Sequence, residues 1–325
     1  MAAEAQVVSI PIAGFKDVYD VATVEQALAE LPASANETLK STYEKMLKAG
    51  GTRLTVKPSG VPMMESLYDE LPNFREPLDD IRKQVALAAS GTDALELTPM
   101  LLVGEPGIGK THFGKRVAAL LSTGFGFVSM SSMTAGWILS GASSQWKNAK
   151  PGKVFETLLN GKYANPVMMV DEIDKAGGDA QYDPLGALYT LLEPDTAMHF
   201  IDEFVEVPID ATGMMWIATA NDGARIPEPI LNRMNVYHID PPDRDGAMRI
   251  AQTIYADIRN SHDWGRRFPE TLADDVLDKL AEYAPREMRR AILNAFGNAK
   301  LAGRDEVLEA DLADPRGTRK ARIGF

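Results

Sequence analysis

Four apolar residues, Met100-Leu101-Leu102-Val103, run directly into Gly104-Glu105-Pro106-Gly107-Ile108-Gly109-Lys110-Thr111. A short apolar run bounded by turn residues reads as a buried strand, and the G-x-x-x-x-G-K-[ST] spacing behind it reads as a glycine-rich turn that opens a helix. Glycines there let backbone N–H groups face phosphate oxygens, and the helix N-terminus adds its partial positive charge. Lys110 would reach the β- and γ-phosphates, and the Thr111 hydroxyl would ligate Mg²⁺. Further along, Val167-Met168-Met169-Val170 ends in Asp171-Glu172. A buried strand that closes on two carboxylates delivers a metal-binding Asp and a water-activating Glu to its C-terminal edge. The two stretches are the halves of one site, and they imply ATP with Mg²⁺ as cofactors and phosphoanhydride hydrolysis as the chemistry.

Composition removes the competing classes. No cysteine is present, which excludes disulfides, thiolate metal sites and cysteine nucleophiles. His112, His199, His238 and His262 are scattered without ligand spacing, so no metal centre beyond the nucleotide's Mg²⁺ is expected. A net charge of −12 with no basic stripe makes nucleic acid the less favoured partner, although that argument does not reach the inner wall of a ring. No apolar run approaches the length of a membrane span, and Met1 to Gly14 lacks the basic flank of a secretory signal. The expectation is a cytoplasmic chain with no membrane partner.

Three regions separate along the chain. Residues 1–73 hold helix-like segments at Val24–Glu30 and Glu37–Lys48, broken by Gly50-Gly51 and several prolines, and offer no chemistry. Over residues 74–240 strands and helices alternate. Helices are expected at Glu76–Ala89, Lys110–Leu121, Gly152–Leu159 and Leu185–Leu192. Strands are expected at Met100–Val103, Gly126–Met130, Val167–Val170, Met214–Thr219 and Val236–Ile239. Such alternation argues for an α/β fold, a parallel sheet with helices on both faces. Residues 241–312 turn wholly helical (Arg244–Arg259, Leu272–Tyr283, Arg286–Ala302), and residues 313–325 form a basic tail.

The order of these elements resembles an AAA+ ATPase, and more narrowly the ATPase module of Lon-type proteases. The phosphate loop and the acidic strand end are followed by Ile217-Ala218-Thr219-Ala220-Asn221, by Pro229-Ile230-Leu231-Asn232-Arg233-Met234, and by a helical lid. The narrower likeness rests on Pro151-Gly152-Lys153-Val154, Asn165-Pro166-Val167, Asp171-Glu172-Ile173-Asp174-Lys175, Asp183-Pro184, Leu191-Leu192-Glu193-Pro194 and Phe204-Val205-Glu206-Val207-Pro208. It covers roughly residues 74–305. The resemblance implies a P-loop NTPase sheet followed by a small all-helical lid domain. The family's Ser-Lys peptidase region has no counterpart in this sequence, so proteolysis is not implied; nor is the family's long N-terminal region matched.

Residue by residue, the resemblance makes Asn221 the sensor 1 residue that holds the attacking water with Glu172; an Asn closing a strand is also a common turn former. Arg233 falls where the family places an arginine finger reaching into a neighbouring subunit, which implies a homo-oligomeric ring, expected to be a hexamer. Arg286 falls on sensor 2. It sits directly after Pro285 at the start of a helix whose buried stripe would be Met288, Ile292 and Phe296, and a solvated basic face shared with Arg289 and Arg290 is the plainer reading. Trp146-Lys147 stands at the substrate pore loop, with Lys147 replacing the usual aliphatic partner. The preceding Ser140-Gly141-Ala142-Ser143-Ser144-Gln145 reads as an exposed, flexible loop. The methionines beside the acidic strand, Met214-Met215-Trp216 included, read as core. The terminal Ile323-Gly324-Phe325 resembles the loop with which Clp-type unfoldases dock on a peptidase, so a separate peptidase or effector is one expected partner. The function these readings imply is ATP-driven remodelling or threading of protein substrates. Loading or moving nucleic acid, and an ATP-gated assembly scaffold, are the alternatives.

Overall fold

The structure is a computed structural model that describes residues 12–32, 36–132, 137–176 and 183–313. The basic tail from Asp314 onward lies outside the described residues. In chain order the elements are β1 (Ile12–Asp17), α1 (Val21–Ala29), α2 (Glu37–Ala49), β2 (Thr52–Val56), α3 (Glu65–Glu70), α4 (Arg75–Ser90), β3 (Met100–Gly104), α5 (Lys110–Leu120), β4 (Phe125–Ser129), α6 (Trp137–Ser140) and α7 (Lys153–Asn160). They continue through β5 (Val167–Asp171), α8 (Gly186–Leu191), α9 (Pro194–Ala197), β6 (Phe200–Ile201), β7 (Pro208–Ile209), β8 (Met215–Ala220), α10 (Glu228–Leu231), β9 (Asn235–Ile239), α11 (Arg244–Ser261), α12 (Asp274–Leu280) and α13 (Pro285–Leu301).

Two compact units result. The first takes the described residues of Met1–Pro62, Glu76–Val103 and Thr111–His238; the second takes those of Met63–Arg75, Gly104–Lys110 and Ile239–Phe325.

The first unit is organised by a five-stranded sheet in the order β4-β5-β8-β3-β9. Strands β3, β5 and β8 are buried along nearly their whole length, which is why they read as unbroken apolar runs rather than alternating ones. Neighbours pair in parallel, with Val170 beside Ala218 and Leu102 beside Thr219. Because the chain leaves the interior strand β3 for β4 at one edge and ends on β9 at the other, β3 marks the point where the winding reverses. Ligands bind open α/β sheets outside the carboxyl ends of strands at such a point. Met168 and Met169 show that both faces are covered. A Cβ on Gly114 of α5 would lie 2.6 Å from the Met169 sulfur, whereas one on Gly126 would meet both the Met168 sulfur and Thr157 of α7. Consecutive strand residues point to opposite faces, so α5 and α7 lie on opposite sides.

Most of the segment for which the sequence offered no chemistry, its described residues up to Pro62, joins this unit, and those from Met63 belong to the second. β1 and β2 form an antiparallel pair, and Val24, Leu39, Tyr43 and Met46 of α1 and α2 belong to the same core as Met168, Val170 and Trp216. Arg53 of β2 is buried, donating to the Leu158 carbonyl at 2.8 Å and the Leu159 carbonyl at 3.1 Å at the end of α7. Asn165 donates to and accepts from Val56 at 2.8 and 2.9 Å. Charge-assisted bonds to otherwise unpaired helix-end carbonyls explain why an arginine tolerates that burial.

In the second unit α11, α12 and α13 pack around Tyr255, Phe268, Val276, Leu280, Met288, Ile292 and Phe296. The stripe expected on α13 is therefore its buried face. Tyr255 and Phe296 stack with centroids 5.0 Å apart, and Phe268 meets Phe296 edge-on at 4.7 Å.

Candidate functional site

The phosphate loop belongs to the second unit. Gly107 and Gly109 hold φ of +89° and +108°, values that side-chain-bearing residues rarely adopt, which is the physical reason for glycine at both positions. Lys110 is buried, and its ammonium donates to the carbonyls of Gly104 at 2.5 Å and Glu105 at 2.8 Å. Its position is thus set by the same loop whose N–H groups it accompanies. A side-chain amide from Asn73 donates to the Ile108 carbonyl at 3.4 Å and to Asp240 at 3.1 Å. Arg286, the first residue after Pro285 in α13, donates its backbone N–H to the Gly107 carbonyl at 3.3 Å, and its side chain passes within 3.4 Å of where a Gly107 Cβ would be. Arg289, in contrast, is committed to Asp257 at 2.7 Å on the surface.

The acidic half belongs to the first unit. Thr111, one residue into α5, hydrogen-bonds both Asp171 carboxylate oxygens at 3.3 Å. Thr219, wholly buried in β8, donates to Asp171 Oδ1 at 2.6 Å and accepts the Glu172 N–H at 2.9 Å. One hydroxyl thereby fixes both acids at the end of the next strand. Glu172 leaves the strand in the left-handed conformation, φ +58° and ψ 48°, which turns its side chain away from the strand line. Its carboxyl is held below the ordinary carboxylate range by a hydrogen bond from Lys175, then one from Ser131, with the Lys175 charge and a bond from Asn221 adding to them against the opposing effect of burial. Glu172 is therefore an anion at neutral pH, and Asn221 touches it.

Arg233 follows α10. Its guanidinium pairs with Glu193 at 2.7 Å and donates to the Pro229 carbonyl at 2.5 Å, leaving the side chain about a quarter exposed. Trp146 lies on the loop between α6 and α7, exposed, with its ring edge-on to Trp137 at 5.4 Å. Part of the expected flexible stretch differs. Gly141 and Ala142 are buried, while Ser140 is half-buried and exposure rises again from Ser143 to Trp146. The cause is Asp202, fully buried on the β6–β7 connection, which accepts N–H bonds from Gly152 at 2.7 Å, Phe204 at 3.0 Å and Val205 at 3.3 Å. Glu203 N–H donates to the Ser140 carbonyl at 2.6 Å. Together these bonds pin both ends of the Trp146 loop. Burial pushes the Asp202 carboxyl up to about 6, against the pull of its three N–H donors.

Comparison with known proteins now bears on this arrangement. The sequence profile of the ATPase family associated with various cellular activities (AAA) matches residues 100–240, which contain the phosphate loop, both acids, Asn221 and Arg233. That stretch, less than half of the chain, is similar to an AAA domain. The chain also resembles Lon proteases. It is 31% identical over 188 residues to a mitochondrial Lon protease homolog of Emericella nidulans, covering 58% of this chain and 17% of that protein. It is 38% identical over 140 residues to Lon protease 1 of Syntrophotalea carbinolica, covering 43% and 17%, and 30% identical over 196 residues to Lon protease 2 of Herpetosiphon aurantiacus, covering 60% and 24%. The matched segment thus spans no more than a quarter of these relatives. A mutant RuvB of Thermotoga maritima superposes with a TM-score of 0.48 at 14% identity, covering 72% of this chain and 67% of that one. No helix among the described residues is long and apolar enough to cross a membrane.

Two residues escaped sequence reasoning. Thr219 sits inside an apolar run, where a lone threonine reads as a strand former. Asp202 lies between Phe200-Ile201 and Phe204-Val205, and that apolar flanking was the available signal that the carboxylate is buried.

Proposed function

We propose that the chain is a ring-forming ATPase that couples Mg²⁺-dependent ATP hydrolysis to remodelling or threading of protein substrates. The observation that carries the chemistry is the contact between Asn221 and an ionised Glu172, beside an Asp171 that shares hydrogen bonds with Thr111 and Thr219. The residues fit the nucleotide: the loop of Gly104, Glu105, Pro106, Gly107, Ile108 and Gly109 has the positive-φ glycines that an N–H cradle needs, and Lys110 is held in it. Bound Mg-ATP would supply the phosphoanhydride to be cleaved and a cation that neutralises its oxygens. Lys110 would hold the phosphate tail, while Thr111 and Asp171 would hold the cation. Glu172 Oε accepts the proton of the attacking water, and Asn221 orients that water. Arg286 adds positive charge at the loop, and Arg233 acts on the site of the next subunit in a hexameric ring.

Substrate grip is assigned to Trp146 with Lys147. An exposed tryptophan offers apolar area that is indifferent to sequence, worth roughly 2 kcal/mol per contact. The test is ATP turnover with an unfolded protein, with single-stranded DNA, or with RNA added. Unfolded protein should stimulate, Trp146→Ala should lose that stimulation, and Trp146→Tyr should keep most of it. Stimulation by nucleic acid alone would sink the reading.

A further inference from the structure

Helix α2 meets the Trp146 loop and its support along one face. Asn36, Leu39, Tyr43 and Met46 recur at spacings of three and four, so they share a side of the helix. Leu39, Tyr43 and Met46 are buried in the core that also holds Ala142 and Ala149 of the loop, together with Val205. The polar groups of this face bond in the same direction. The Asn36 oxygen caps α2 by accepting the Thr38 N–H at 2.9 Å, and its amide nitrogen donates to the Ser144 carbonyl at 3.1 Å. Exchanging that oxygen and nitrogen would break both bonds, so the two together fix the amide's orientation. Two turns further along, the Tyr43 hydroxyl donates to the Val205 carbonyl at 2.7 Å. Burial, and then the charge of Glu206, push its titration up, so it remains a donor at neutral pH. Val205 belongs to the turn in which Asp202 accepts the Phe204, Val205 and Gly152 N–H groups, and Gly152 is where the loop meets α7. A helix cap needs only the Asn36 oxygen. Here the Asn36 and Tyr43 donors, about 10 Å apart along α2, close on the loop itself and on the turn that pins it.

We propose that α2 positions the substrate loop, with Asn36 and Tyr43 as positioning residues that set where Trp146 stands and hence how tightly a polypeptide is engaged. The inference rests on the reading of Trp146 as a gripping residue, and it gives the N-terminal segment a part in that work. Holding Ser144 holds the turn that carries the tryptophan. The Trp146 N–H donates to the Ser143 carbonyl at 2.9 Å, and the Ala149 N–H donates to the Trp146 carbonyl at 3.2 Å. A loop kept in place before a ligand arrives loses less freedom on binding, and the difference appears as affinity.

The experiment compares the full chain with Asn36→Asp, Asn36→Ala and Tyr43→Phe in two measurements. One is ATP turnover against the concentration of casein, an unfolded protein; the other is amide hydrogen exchange across residues 143–150. Asn36→Asp keeps a cap acceptor, at a helix N-terminus that favours negative charge, but has no hydrogen to give Ser144. Its melting temperature and basal turnover should stay close to the parent's. The half-saturating casein concentration should rise roughly threefold to tenfold, the worth of one hydrogen bond, and exchange at the Trp146 and Ala149 amides should quicken. Tyr43→Phe should raise the casein requirement comparably, with some loss of stability because a buried carbonyl loses its donor. Asn36→Ala should match Asn36→Asp in casein response and also melt lower through the lost cap. A casein defect in Asn36→Ala that Asn36→Asp lacks would reduce Asn36 to a cap and overturn its positioning role. Parent-like exchange across residues 143–150 in all three variants would overturn the proposal as a whole. Failure of the broader reading looks different: casein would not stimulate even the parent, although exchange still quickened in Asn36→Asp.

Discussion

The acidic strand end and the Trp146 loop solve opposite problems with opposite means. Asp171, Glu172 and Thr219 are fixed by short hydrogen bonds inside a sheet whose strands are buried, so their geometry is set before any ligand arrives. Trp146 and Trp137 expose about two-fifths of their surface, and the loop that carries Trp146 is held by a few backbone bonds at its ends and by Asn36 on the Ser144 carbonyl. Hydrolysis needs acceptors and donors held to a fraction of an ångström. Grip on varied polypeptides needs accessible apolar area and tolerance. If the comparison is right, substitutions at the strand end should act on turnover and substitutions around the loop on coupling.

The largest effect should come from Arg233. If it completes the neighbouring site, Arg233→Ala should bind ATP normally yet lose roughly 10³- to 10⁵-fold in turnover. Mixing that variant with Glu172→Gln should restore part of the activity, since some interfaces then pair an intact Glu172 with an intact Arg233. Turnover per chain that is independent of concentration in a proven monomer would break the ring hypothesis.

Glu172→Gln comes next. It keeps Lys110, Thr111 and Asp171, so Mg-ATP affinity should hold while turnover drops roughly a hundredfold or more through loss of the base. Because the Glu172 carboxyl titrates below the ordinary range, the acidic limb of the turnover profile should also lie below it, and Lys175→Met should shift that limb upward. Parent-like hydrolysis by Glu172→Gln would show that the acidic pair has another role.

What the sequence made legible follows the same division. The strand–loop–helix at residues 100–120 and the strand closing on Asp171-Glu172 announce themselves because a buried strand must be apolar and a positive-φ turn must be glycine. Residues 52–56 do not. Their arginine is buried against α7 by partners a hundred positions away, and local periodicity carries no trace of such a pairing. Asp202 and Thr219 were hidden for a related reason: Thr219 acts on the adjacent strand, and Asp202 joins a local turn to Gly152 fifty residues earlier, a link no local pattern carries. The aromatic pair was half visible, since the resemblance to Lon-type modules singles out Trp146 whereas Trp137 meets it only in three dimensions.

Asp202 provides an intermediate effect on the loop side. Its carboxyl titrates at about 6 in the fold against an ordinary 3.8. The folded state therefore holds the proton more tightly than the unfolded chain, so this group's contribution to stability is full below pH 3.8 and is lost as pH rises through about 6. Over that window it amounts to at most about 3 kcal/mol. In denaturant melts at fixed pH, the parent should lose stability relative to Asp202→Asn between pH 4.5 and 7, and amide exchange within residues 141–152 should quicken in parallel. A pH-independent difference between the two proteins would mean that Asp202 is already ionised across the whole range.

The smallest expected effect is the most discriminating for the strand end. Thr219→Val keeps the shape of the side chain and its β-branched fit to the strand, but removes the donor to Asp171 and the acceptor for the Glu172 N–H. A buried N–H left without a partner costs about 1–3 kcal/mol, so the melting temperature should fall modestly. Turnover should drop roughly tenfold, because both acids remain present and only their placement loosens. ATP affinity should change little, since Lys110 and the loop are untouched. Thr219→Ser, which returns the hydroxyl without the methyl group, should recover most of the turnover. A stability loss of the same size with unchanged turnover would reduce Thr219 to a strand residue that happens to satisfy its neighbours. Loss of turnover that Ser repairs would show instead that the two acids are positioned from the adjacent strand, and that the preorganisation contrasted with the Trp146 loop reaches one layer deeper than the residues that meet the nucleotide.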